Sequence, residues 1–168
     1  EVITVKAEGQ NVWVENLNRP VQDGSPWWFY APETERMELN IASFSCSGPV
    51  DLDITFKNPV DSVVVRPLSK GIPFTRHGNK INIKLSGPCK LVIEVDSMPP
   101  LLVFADTIET DFPAQNDENI RVFGPGVHNP GVITLKDSEQ IYIAPGAIVY
   151  GAIEGSPHGA KVFGRGIL

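Results

Sequence analysis

The residues whose type and spacing would suit chemistry are carboxylates two positions apart: Asp51 and Asp53 in VDLDITF (50–56), Glu94 and Asp96 in KLVIEVD (90–96). In an extended strand such residues share a face about 7 Å apart, a separation that invites comparison with the acid pair of a glycoside hydrolase. The wet face of a half-buried sheet has the same spacing. Strict alternation decides between them: Val50, Leu52, Ile54 and Phe56 fall on one face, Asp51, Asp53 and Thr55 on the other. Both acid pairs are therefore expected to be solvated surface.

The run Trp27-Trp28-Phe29-Tyr30 is the other candidate, because aromatic faces suit the C–H faces of pyranose rings. Trp27, Trp28 and Tyr30 are candidate carbohydrate contacts; the competing reading is a strand of core residues. His77, His128 and His158 are isolated from one another in sequence and read as polar loop residues. Cys46 and Cys89 each sit at a strand end beside a Gly-Pro turn. A disulfide and two buried free thiols both fit that placement, and neither cysteine has a neighbour at metal-ligand spacing. Phosphate-binding, Ser-His-Asp and zinc signatures are absent, so no cofactor, no metal and no catalytic residue is expected within this chain.

These residues must be positioned by β-structure. The chain has 168 residues, 42% hydrophobic and 20% charged, with 15 Gly and 15 Pro to punctuate turns. Residues 1–104 carry short alternating segments: EVITVKA, NVWVENL, MELNIASF, VDLDITF, SVVVRP, KINIKLS and KLVIEVD. Turn signals separate them at Asp23-Gly24, Gly48-Pro49, Asn58-Pro59, Gly78-Asn79 and Gly87-Pro88. About eight such strands without a helical window predict an antiparallel β-sandwich over 1–104.

The acidic stretch ADTIETDFPAQNDEN then changes the style of the sequence. It reads as a linker over 105–117. From residue 118 glycines become dense and a period of about twenty appears. RVFGPGVH (121–128), IYIAPGAI (141–148) and KVFGRGIL (161–168) align with Phe123, Ile143 and Phe163 in one column, and Gly124, Ala144 and Gly164 in the next. Gly126, Gly146 and Gly166 form a third column, and VITL (132–135) matches AIEG (152–155) more weakly. Pro followed by Gly fits the centre of a type II turn. A corner in every repeat, with apolar strands on either side, predicts the first coils of a parallel β-helix over 118–168.

The stretch FGPGVHNPGVITLKDSEQIYIAPGAIVYGAI, followed by KVFGRGIL, resembles the entry coils of pectin-lyase-like right-handed β-helix enzymes, polygalacturonase-like and dextranase-like glycoside hydrolases above all. That resemblance covers 121–168 and implies polysaccharide hydrolysis by paired carboxylates. The family's Asn-Thr-Asp, paired-Asp, Gly-His-Gly and Arg-Ile-Lys motifs do not occur here. Ser156-Pro157-His158-Gly159 lacks the leading glycine of the histidine motif. No catalytic residue carries over, and the chain is expected to be the front part of a larger enzyme. A non-catalytic carbohydrate-binding or structural module is the alternative.

The expected partner is a polysaccharide or oligosaccharide. A net charge of −6 without a basic patch speaks against nucleic acid and anionic membrane surfaces. No apolar run approaches the roughly 18 residues of a membrane helix. A chain opening directly into a strand is expected of a secreted or periplasmic protein whose signal peptide has been removed.

Overall fold

The computed structural model describes residues 3–19, 37–110, 112–113 and 118–168. The chain divides into two compact units, Glu1–Ile108 and Glu109–Leu168. In the first, strands run in chain order as β1 (Ile3–Ala7), β2 (Gln10–Val12), β3 (Val14–Arg19), β4 (Met37–Ser45), β5 (Val50–Phe56), β6 (Val63–Arg66), β7 (Phe74–His77), β8 (Lys80–Leu85), β9 (Cys89–Val95) and β10 (Leu101–Asp106). They form two five-stranded sheets: sheet A, ordered β2-β1-β5-β8-β7, and sheet B, ordered β3-β4-β10-β9-β6.

Alternation converts directly into layers here. Ile3, Val5, Leu52, Ile54, Ile81 and Ile83 of sheet A share one buried cluster with Ala42, Leu91, Ile93, Leu101 and Val103 of sheet B. Two sheets with their apolar faces together make a sandwich-like unit. The β1–β2 hairpin turns on Glu8 (φ 49°) and Gly9 (φ 75°), positive at both central positions as a type I′ turn requires. Asn40, the one buried polar side chain among the described residues of this unit, accepts a 3.0 Å bond from Asn16 Nδ2 and donates at 3.3 Å to the Pro99 carbonyl. A buried amide so satisfied avoids the desolvation penalty of an orphaned one.

Three details correct the expectation of a simple antiparallel sandwich. NVWVENL is two strands in different sheets, β2 in A and β3 in B, parting at the half-exposed Trp13. FTRH forms β7 although every residue in it is exposed, so it carries no alternation to read. Most consequentially, β10 pairs parallel with β4. It runs antiparallel to β9 and occupies the open edge of β4, whose other edge holds β3. Direction is thus set by β9, and alternation is blind to which neighbour a strand will find.

The second unit contains β11 (Ile120–Phe123), β12 (Gly126–Thr134), β13 (Gln140–Ile143), β14 (Ala147–Glu154) and β15 (Lys161–Gly164). Sheet C is ordered β11-β13-β15 and sheet D pairs β12 with β14, all parallel. Ile120 lies opposite Gln140 and Val132 opposite Ala152, a spacing of twenty, but between them Gly126 lies opposite Ala147 and not Gly146, and the register shifts back between His128 and Gly131. Phe123, Ile133, Ile141, Ile143, Ala147 and Val149 form a core of their own. Ala147 N–H donates at 3.0 Å to the Ala144 carbonyl across Pro145-Gly146, with Gly146 at φ 78°. That is the expected type II corner.

The third repeat departs from its column. Lys161 lies opposite Gln140, and Phe163 opposite Tyr142. EGSPHGA therefore contains one residue more than a spacing of twenty allows. The extra residue turns Phe163 to the outer face of sheet C, where its ring meets that of Tyr142 at 5.1 Å. Gly164, not Phe163, faces Ile143, and a Cβ there would collide with the Ile143 backbone.

Candidate functional site

The sequence-derived acid pairs are both accounted for by surface bonding. On the outer face of sheet A, Lys84 Nζ donates to both Asp51 carboxylate oxygens, at 2.7 and 3.0 Å. Asn82 Nδ2 donates to Asp53 Oδ1 at 2.9 Å. These are direct cross-strand partners, the ordinary currency of a solvated face. Hydrogen bonding to Asp51, then its charge, raises the Lys84 ammonium above its usual range.

Glu94 and Asp96 do not act as a pair. Glu94 Oε1 accepts from Arg66 Nε at 2.8 Å, and that bond holds its carboxyl below the usual range. Asp96 lies past the end of β9 at φ 48°. Its Oδ1 accepts from Ser62 N–H at 2.7 Å and Ser62 Oγ at 3.0 Å, and Asp61 N–H reaches both carboxylate oxygens at 3.2 Å. The Ser62 backbone bond, followed by that of Asp61, lowers its pKa. A general acid working near neutrality needs the opposite displacement. Asp96 is a clasp that closes the loop before β6.

The histidines are dispersed. His128 Nε2 bonds the Gly124 carbonyl at 2.7 Å, and its ring meets Phe123 edge-on at 5.3 Å, tying the first corner to the core. His158 N–H donates at 2.8 Å to Asp137 Oδ1 between stacked turns. His77 ends β7 opposite Lys80. Among the described residues no three His, Cys, Asp or Glu side chains are grouped as a metal site. Cys46 and Cys89 are free thiols, each raised in pKa chiefly by burial. Strand β10 lies between their strands, a separation of about 9.6 Å, beyond the roughly 7 Å that a disulfide spans. Trp27, Trp28 and Tyr30 lie outside the described residues.

Two arrangements escaped the sequence reading. In the second unit, Tyr142 Oη donates at 3.0 Å to Glu109 Oε2, and both side chains are buried. In the first, the outer face of sheet B carries a groove of about 530 Å³ lined by Arg66, Leu68, Lys90, Val92, Leu102 and Phe104. A signal for the groove is visible in hindsight. In LLVFAD, Leu101 and Val103 are core while Leu102 and Phe104 are apolar on the opposite face, so β10 is apolar on both sides.

No protein-family model matches this chain, and no curated protein matches it. Among solved structures, Dex49A from Penicillium minioluteum matches with a TM-score of 0.61 at 17% identity, over 98% of this chain and 44% of that one. The likeness is one of fold: a sandwich-like pair of sheets followed by parallel sheets. The chain spans less than half the length of the protein it matches. No helix among the described residues is long and apolar enough to cross a membrane, which leaves β-barrels unaddressed.

Proposed function

We propose that this chain is the N-terminal portion of a secreted or periplasmic polysaccharide-degrading glycoside hydrolase. Sheets C and D are then the opening coils of a right-handed β-helix, and the paired carboxylates belong to coils beyond residue 168. The observation that carries the reading is the parallel register of β11, β13 and β15, in which each repeat of about twenty residues adds one strand. The sequence resemblance of 121–168 to polygalacturonase-like and dextranase-like enzymes supports it. So does the match of nearly the whole chain to less than half of Dex49A.

In this reading the first unit is a scaffold, and hydrolysis needs a general acid and a second carboxylate flanking one glycosidic bond. Neither is supplied by the acids described above, whose oxygens are held by Lys84, Asn82, Arg66 and Ser62. Reducing ends counted after incubation with pectic, dextran and galactan substrates test the assignment. The longer protein should turn over one of them, and residues 1–168 alone should not exceed a boiled control. Sugar release by residues 1–168 would overturn the placement of catalysis. A longer protein inert on all glycans would overturn the hydrolase reading.

A further inference from the structure

The groove on sheet B has a composition that points to a ligand. Cross-strand pairing sets Arg66, Val92 and Leu102 in one row and Lys90 and Phe104 in the next. Leu68, 66% exposed, stands at its side. A volume of about 530 Å³ lies within the roughly 300–1,000 Å³ common for small-ligand sites. Three strands about 4.8 Å apart give an apolar floor about 10 Å wide, room for one or two sugar rings.

The charged groups lining it are both cations, Arg66 and Lys90, in a chain whose net charge is −6. The two lining cations are not equivalent. Arg66 is partly offset by Glu94 at 2.8 Å. Lys90 Nζ instead lies over the Phe104 ring, 5.6 Å from its centroid, and has no carboxylate partner among the described residues. An aromatic face with an ammonium at its border that pairs with no described carboxylate offers two things at once: a surface for C–H groups and a partner for an anion.

We propose that this groove binds a uronate unit of an acidic oligosaccharide, its C–H face on Phe104 and Leu102 and its carboxylate on Lys90. The proposal rests on the polysaccharide reading above and adds to it a binding site outside any catalytic centre. A neutral sugar would gain the apolar contact alone, and a small inorganic anion the charge alone. Either half is a weak interaction at an exposed surface.

Titration of the 1–168 chain with trigalacturonate, followed by amide chemical shifts, tests it. Saturable binding should centre on β9 and β10. Lys90→Gln, Phe104→Ala and the milder Phe104→Leu should each weaken it by about fivefold or more, with thermal unfolding confirming the fold. Raising salt from about 50 to about 300 mM should weaken it too. Isomaltotriose and inorganic phosphate should bind at least about fivefold more weakly than trigalacturonate. No saturable binding, equal binding of isomaltotriose or phosphate, or undiminished affinity in Lys90→Gln and both Phe104 variants would overturn the proposal. The readout is binding by this chain, so an inactive longer protein that still leaves the groove occupied refutes only the hydrolase reading. An active longer protein with an empty groove refutes only the uronate site.

Discussion

Replacing Ile141 by alanine tests whether the parallel sheets of the second unit are held by their own core. Ile141 is fully buried and sits in a cluster with Phe123, Ile133, Ile143, Ala147 and Val149, none of which belongs to the sandwich cluster. The substitution deletes three carbons, worth about 2.4 kcal/mol of transfer at roughly 0.8 kcal/mol each. A cavity that the stacked strands fill only in part raises the total to about 3–4 kcal/mol. Since about 1.4 kcal/mol is tenfold in an equilibrium, amide exchange limited by opening of the second unit should accelerate by two to three decades. Segment-resolved hydrogen exchange on the 1–168 chain is the assay. The segments 120–123 and 140–149 should lose protection, while 50–56 and 80–85 change by less than about threefold. Equal acceleration in both sets would refute the claim of separate cores. A loss below about tenfold in 120–123 and 140–149 would mean that Ile141 is not the packing element its burial implies.

Two further substitutions probe features specific to this chain. Gly151 has no positive φ, so alanine is conformationally allowed there. Its Cβ, however, would overlap the Gly131 carbonyl of the neighbouring repeat and approach Pro130 Cγ at 3.2 Å. Gly151→Ala should therefore destabilise by about 1–3 kcal/mol in urea unfolding, whereas Gly87→Ala, with nothing within 4 Å, should stay within about 0.5 kcal/mol. Asp96→Asn keeps a residue that tolerates the left-handed conformation and removes the charge that accepts from Ser62 and Asp61. The folded-state pKa of Asp96 is lowered, so its stabilisation is present above the unfolded carboxylate value, about 3.9, and disappears as pH falls through the folded one. Thermal unfolding should place the variant below the parent at pH 7 and bring the two together in strong acid. A gap that persists unchanged there would contradict the charge-based account.

What the sequence made legible follows from which physics is local. Burial on one face of an extended chain forces a period of two, so VDLDITF and KINIKLS disclose both their strand character and their inward residues without reference to neighbours. Stacked parallel repeats force a second period, and the matched spacing from Val122 to Tyr142 and from Val132 to Ala152 is visible as twenty residues of sequence. Partner choice is not local. Nothing within LLVFAD says that its strand will enter beside β4 in parallel, because that outcome depends on which edges β3 and β9 leave open. The extra residue in EGSPHGA was equally hidden. Gly126, Gly146 and Gly166 share a column of twenty, yet the third corner places its left-handed glycine at Gly164 (φ 116°).

The same distinction explains why the acids attracted attention and the groove did not. Carboxylates two apart form a pattern within one strand, but whether they can do chemistry depends on what lies across from them. Lys84 and Asn82 lie on β8, and they commit Asp51 and Asp53 to cross-strand bonds. Lys90 and Phe104 become neighbours only through the register of β9 against β10, and Arg66 joins them through that of β6 against β9. A site assembled from three strands has no complete signature in any one of them. What trace it leaves is a local failure of alternation, at Leu102 and Phe104 in β10 and at Val92 in β9, which are apolar on the face that should be wet. Departures from the period of two therefore mark the surface of this sandwich most worth testing for a ligand.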